Sequence, residues 1–136
     1  MRRQDGSVTT EVVLLAPVML VLLGFVVMTG RIGEVDGAVT NAAQQAARAA
    51  TLMGAPTAAH ATADSTARAN LESLGIVCTM LNVVVNTSRF EPGGDVAVEV
   101  TCTVDLDDVA FTGLPGDKTV HARAVEVIDT YRGAGP

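Results

Sequence analysis

Val12-Val-Leu-Leu-Ala-Pro-Val-Met-Leu-Val-Leu-Leu-Gly-Phe-Val-Val-Met-Thr-Gly30 is a run of nineteen residues without a formal charge, and its placement decides the fold. As a helix rising about 1.5 Å per residue it is roughly 28 Å long, close to the roughly 30 Å hydrocarbon core of a bilayer. A secretory signal peptide has a shorter apolar region of about 7–15 residues, followed by small residues at a cleavage site. This run is longer and leads into Arg31-Ile-Gly-Glu-Val-Asp36. A helix apolar on all sides and buried in a soluble core needs protein around its whole circumference, and too little chain follows to provide it. The reading is a transmembrane helix over 7–30. Pro17 inside it removes one backbone hydrogen bond and predicts a kink, with Gly24 and Gly30 lowering local rigidity further.

The flanks give the orientation. Arg2 and Arg3 lie on the short side, and basic residues next to a span are retained in the cytoplasm, so the remainder of the chain is expected outside. Arg31 at the far end is followed by Glu34 and Asp36 and can snorkel to the interface. An outside location suits Cys78 and Cys102, the only two thiols. Both fall in strand-like sequence, and in an oxidising compartment a disulfide is favoured over two buried free thiols. Closing that loop would stabilise by roughly 3.5 kcal/mol in the chain-entropy model. The pair can meet across two strands only if the connecting hairpin loop is wide.

Composition removes several function classes. Of 136 residues, 3% are aromatic and none is Trp, which argues against an aromatic-lined ligand pocket or a base-stacking platform. The net charge is -6 with a single Lys, Lys118, and no clustered basic patch, so no nucleic-acid partner is expected. His60 and His121 are far apart in sequence and read as solvated or structural residues rather than bases, so no enzyme activity is expected. Asp105, Asp107 and Asp108 lack the glycine and terminal glutamate of an EF-hand loop and read as a solvated acidic strand end. Neither a metal nor a cofactor is expected.

Glu11 is not explained by insertion alone. A carboxylate at the end of an apolar run costs insertion free energy and marks a functional candidate. It stands in Gly6-Ser-Val-Thr-Thr-Glu11, which has a local reading: Ser7, Thr9 or Thr10 caps the helix and Glu11 complements the positive end of its dipole. It also has a wider one. Gly6 to Glu11, the apolar run with Pro17, Arg31 and the Ala-rich Asn41-Ala-Ala-Gln-Gln-Ala-Ala-Arg-Ala-Ala50 together resemble the TadE-like pseudopilins of tight-adherence (Flp-type) pilus systems. The resemblance covers residues 6 to about 50, with Val12 standing where an aromatic often follows the glutamate in that family.

That resemblance implies a leader, residues 1–6, cut between Gly6 and Ser7 by a membrane-embedded prepilin peptidase, with other pilin subunits and the assembly machinery as partners. It also implies roles in pilus assembly, surface adhesion and biofilm formation. Glu11 would become the fifth residue of the mature chain, able to pair with the new α-ammonium of Ser7 in its own or a neighbouring subunit. Such pairing would fix axial stagger between subunits.

Beyond Gly30 the apolar period is helical. Ile32, Val35, Val39, Ala42, Ala46, Ala49 and Met53 recur at three- and four-residue steps, with Glu34, Asn41, Gln44, Gln45 and Arg48 on the other side. The seam packs either on its own domain or on a partner helix. Gly54-Ala-Pro56 ends this helix, and a second Ala-rich helix runs from Thr57 to Leu74 with Gly75 as C-cap. Three strands follow at Ile76–Asn86, Val96–Leu106 and Thr119–Tyr131, separated by Pro92-Gly-Gly-Asp95 and Gly113-Leu-Pro-Gly116. The core side of the sheet takes Val83, Val85, Val98, Val100, Val125 and Val127, or their opposite-parity neighbours.

The expected architecture is α+β: a long N-terminal transmembrane helix continuing as an amphipathic helix, a second helix, then a three-stranded antiparallel sheet. Residues 31–132 would form an extracytoplasmic pilin-like domain and 133–136 a flexible tail. The rival reading is a signal-anchored extracytoplasmic binding module with no pilus role, in which Gly6 and Glu11 are incidental.

Overall fold

The computed structural model describes residues 5–106 and 116–131. Within them the order is α1 (Asp5–Thr51), α2 (Pro56–Ser73), β1 (Met80–Arg89), β2 (Asp95–Asp105) and β3 (Asp117–Val127). The class is α+β, with the three strands in the order β1-β2-β3, both pairs antiparallel. The chain divides into two compact units, Met1–Gly33 and Glu34–Pro136.

The first unit contains the apolar run. Thr9–Thr51 is a helix long and apolar enough to cross a membrane, and its most apolar window is not buried at all by protein. Leu20, Val21 and Phe25 are each more than two-thirds exposed. A core helix would bury one face at least, whereas this one leaves its apolar circumference uncovered by protein, as a candidate membrane span does. The helix runs through Pro17, where the carbonyl of Val13 loses its N–H partner.

The second unit is built on small residues. Val35, Ala38, Val39, Ala42, Ala43, Ala46, Ala47 and Ala50 are buried along α1, with Ala59, Ala63, Ala67 and Leu71 along α2. All belong to one core cluster with Val96, Val98, Val100, Cys102, Val104, Val120, Ala122 and Ile128 of the sheet region. The buried stripe on α1 is wider than the heptad seam, taking in Ala38, Ala43, Ala47 and Ala50, while Ala49 and Met53 are only partly buried. That seam therefore packs on its own domain. A helix covered from two sides needs roughly a 100° or broader apolar face, and alanine lets the covering layers come close.

Short, specific interactions set the boundaries. Leu52 and Met53 N–H groups donate back to the Ala49 and Ala50 carbonyls, tightening the last turn of α1. Pro56, not Thr57, opens α2, because its missing N–H and fixed φ suit the first helical position. At the other end Gly75 takes φ +72°, its N–H donates to Glu72 O and that of Ile76 to Leu71 O. This Schellman closure folds Ile76 onto the core, so β1 begins at Met80 and not at Ile76.

The register fixes the parity that sequence left open. Val83 pairs with Val100 and Val85 with Val98, while Val98 pairs with Ala124. On β3 the core face is therefore Val120, Ala122 and Ala124. Val125 and Val127 face outward, 50% and 71% exposed, against their expected place in the core. Cross-strand partners share a face, and a one-residue shift exchanges every side chain between faces. β3 stops at Val127 because Ile128 bridges to the turn, donating to Gly94 O and accepting from Gly93 N–H.

Between β1 and β2 the pairing shifts at Asn86/Arg89, and the five-residue loop 90–94 is held by a fork: Arg89 Nε donates to Asp95 Oδ1 at 2.9 Å and Nη2 to Oδ2 at 2.6 Å. A Cβ at Gly94 would collide with the Arg89 carbonyl oxygen, so this turn requires glycine. The hydrogen bonds and charge of Arg89, with a smaller contribution from Arg123, hold the Asp95 carboxyl below the usual carboxylate range. The clamp's contribution to stability is present above the unfolded aspartate pKa of about 3.9 and is lost as pH falls through Asp95's lowered value. Asp95→Asn is expected to lower the melting midpoint at neutral pH, the difference from wild type closing in acid. A pH-independent difference in thermal melts would remove the ion pair from the explanation.

Candidate functional site

The candidate site residues fall into two groups. Gly6, Ser7, Glu11 and Pro17 share the first four turns of α1. Ser7 and Glu11 are four positions apart within α1. Glu11 is exposed and is the last charged residue before the uncharged run, and among the described residues it has no basic partner within ion-pair distance. Residues 1–4, the start of the expected leader, lie outside the described residues.

The second group is the disulfide, which joins Cys78 to Cys102 with Cα atoms 5.4 Å apart. Cys102 is fully buried on β2, whereas Cys78 precedes β1 instead of lying within it, as strand-like sequence had suggested. Thr79 continues the junction, its N–H donating to Thr103 O at 2.7 Å and its hydroxyl to the same oxygen at 3.0 Å. Only residues 90–94 separate β1 from β2, and the ladder sets Cys102 opposite Leu81, so the bond forms without the wide hairpin loop that a pairing across the two strands was expected to need: Cys78 reaches Cys102 from before β1.

The histidines take structural places. His60 Nε2 is 3.1 Å from Thr87 Oγ1, linking the start of α2 to the end of β1. His121 lies on the outer sheet face, 3.0 Å from Glu99 and 3.1 Å from Thr101 Oγ1. Each histidine thus has a threonine hydroxyl within hydrogen-bond distance. A cavity of about 240 Å³ opens between Gln44, Gln45 and Arg48 of α1 and Arg123 to Glu126 of β3, with two arginines and one carboxylate in its lining. Among the described residues no group of three His, Cys, Asp or Glu is placed to hold a metal ion, and Asp107 and Asp108 lie outside the described residues.

The chemistry thus concentrates at the start of α1, where a glycine, a serine and a carboxylate precede a lipid-length helix. Comparison with family models decides what that stretch is. Residues 6–48 match the TadE-like protein family. The TadE-like segment begins at Gly6, takes in Glu11, Pro17 and Arg31, and ends at Arg48 within α1. α2 and the sheet lie beyond it. No curated protein and no solved structure matches the chain.

Sequence reasoning did not find the Arg89–Asp95 clamp or the outward-facing apolar residues between α2 and β1. The clamp had a faint signal, a basic residue six positions before an acidic one across a Pro-Gly-Gly turn. The apolar residues had none, since Leu74, Val77 and Met80 look like any others in an apolar stretch.

Proposed function

We propose that this protein is a minor pilin or pseudopilin of a tight-adherence pilus, cleaved between Gly6 and Ser7 by a prepilin peptidase, and that its work is structural, not catalytic. The observation that carries the proposal is the TadE-like match over residues 6–48, which starts at Gly6 and takes in Glu11 and the candidate span. The N-terminus is cytoplasmic and residues 34–136 are outside, following the two leader arginines and agreeing with a disulfide-bonded second unit. Partners are the peptidase, other pilin subunits and the assembly machinery, and the processed subunit contributes to adhesion and biofilm.

The physics of Glu11 supports this role. Cleavage creates an α-ammonium on Ser7, four residues from Glu11. A carboxylate in or near hydrocarbon is costly alone and much less so when paired. Its partner is the Ser7 ammonium, its own or that of a neighbouring subunit, and an intersubunit pair sets the stagger between helices.

Processing is tested by the intact mass of protein taken from membranes containing the cognate peptidase. A chain beginning at Ser7 is expected. A chain retaining Arg2 and Arg3 would refute processing and leave the signal-anchored binding module.

A further inference from the structure

The second unit has two ends, and two contacts tell them apart. Lys118 Nζ lies 3.6 Å from Asp36 Oδ2, which puts the start of β3 beside the first residues of this unit. The ladder sets Thr119 against Thr103 and Thr103 against Met80, so the starts of β1 and β3 and the end of β2 share that end. The His60–Thr87 contact marks the other end, where α2 begins and β1 finishes. α2 therefore also terminates at the end marked by Asp36.

Three large apolar residues are exposed where α2 hands over to β1: Leu74 at 53%, Val77 at 74% and Met80 at 73%. Their exposure is imposed by their neighbours. Ile76 is drawn onto the core by the Schellman closure, Cys78 is tied inward to Cys102, and Leu81 is packed against the core cluster. In an extended segment alternate side chains point to opposite sides, so anchoring 76 and 78 turns Val77 out, and packing Leu81 turns Met80 out. The disulfide and the doubly bonded Thr103 carbonyl hold this segment in place.

Asp36 follows Gly30, the last residue of the uncharged run, by six residues, so no conformation can take it farther than about 20 Å from the end of that run. Exposed apolar residues on the end so tethered have a lipid surface within reach. We infer that Leu74, Val77 and Met80 form a membrane-interface contact, entering the headgroup region of the bilayer that holds the span. Glu72, Asp105 and Asp117 are near this end, so the attraction is apolar and the fitting partner is zwitterionic, not anionic, lipid. The inference rests on the membrane reading of α1 proposed above, and it adds a second point of attachment for the subunit before assembly.

The chain has no Trp, so single substitutions give clean reporters. The full-length protein carrying L74W, V77W or M80W is reconstituted in phosphatidylcholine vesicles with and without bromine near the headgroup end of the acyl chains. Blue-shifted emission quenched by the brominated lipid is expected at these three sites, and unquenched, solvent-like emission for V127W at the opposite end. A non-reducing gel confirms that each variant keeps its disulfide. Emission at 74, 77 and 80 resembling that of V127W would overturn the inference, as would a blue shift without quenching, which would mean burial against another copy. F25W in the span separates the two readings: if it is quenched and the three sites are not, the span stands and the interface contact falls, whereas if it is not quenched the membrane reading itself fails.

Discussion

Glu11→Gln is expected to abolish incorporation into pili while the protein still inserts in the membrane at wild-type level. The amide keeps the shape and removes the charge, leaving the Ser7 ammonium without its counter-ion at the edge of the hydrocarbon. An uncompensated charge costs about 2.5–3.5 kcal/mol at mid-bilayer depth on insertion scales and less towards the interface. At this edge the loss of subunit association is therefore at most on the order of a hundredfold. Cross-linking and pilus fractionation read assembly, carbonate extraction of membranes reads insertion, and Glu11→Asp should restore part of the former. Normal assembly of the Gln variant would sink the pairing and return Glu11 to its local role at the helix start.

Loss of the Cys78–Cys102 bond should be the most damaging change to the second unit. The two residues are separated by 24 positions, and releasing that loop returns roughly 3.5 kcal/mol of chain entropy to the unfolded state. For a domain of about 100 residues each kcal/mol corresponds to about 4–8 °C in Tm, so Cys78→Ala/Cys102→Ala should melt roughly 15–25 °C lower. The cost falls on a core with little reserve, because its helices contribute mainly alanine, and buried area per residue is small. Reduction of the wild-type protein should reproduce the shift in a thermal melt monitored by circular dichroism. A change of only a degree or two would mean that packing alone holds β1 to β2.

The two changes act on different properties. Glu11 lies in the TadE-like segment and concerns association, whereas the cysteines lie beyond Arg48 and concern the stability of a fold for which no family match speaks. A variant defective at Glu11 should retain the wild-type melting profile of the second unit.

The legible parts of the sequence were those in which physics acts along the chain. Nineteen uncharged residues match a bilayer whatever follows, and the three-four spacing of Val35, Val39, Ala42 and Ala46 gives a helix face without knowledge of its partner. Glu11 stands out locally as a carboxylate at the end of an apolar run, whereas reading Gly6–Ser7 as a cleavage site rests on the resemblance to the TadE-like family and not on spacing. The Pro-Gly-Gly turn and the Gly75 stop are local too, and each falls within the connection it was expected to make.

Tertiary structure decided what depends on contact between distant residues. Whether β3 buries Val125 or Ala124 rests on one register against β2, and both parities of Thr119–Tyr131 offer apolar side chains to the core. Where β1 starts depends on Leu71, Thr103 and Cys102 claiming the residues from Ile76 to Thr79 before the ladder begins. Gly94 is indispensable only because the Arg89 carbonyl comes to lie against it. Helix periodicity and span length are intrachain properties set within a few turns, but strand parity has only two solutions of similar local energy. The choice between them is made by the partner strand.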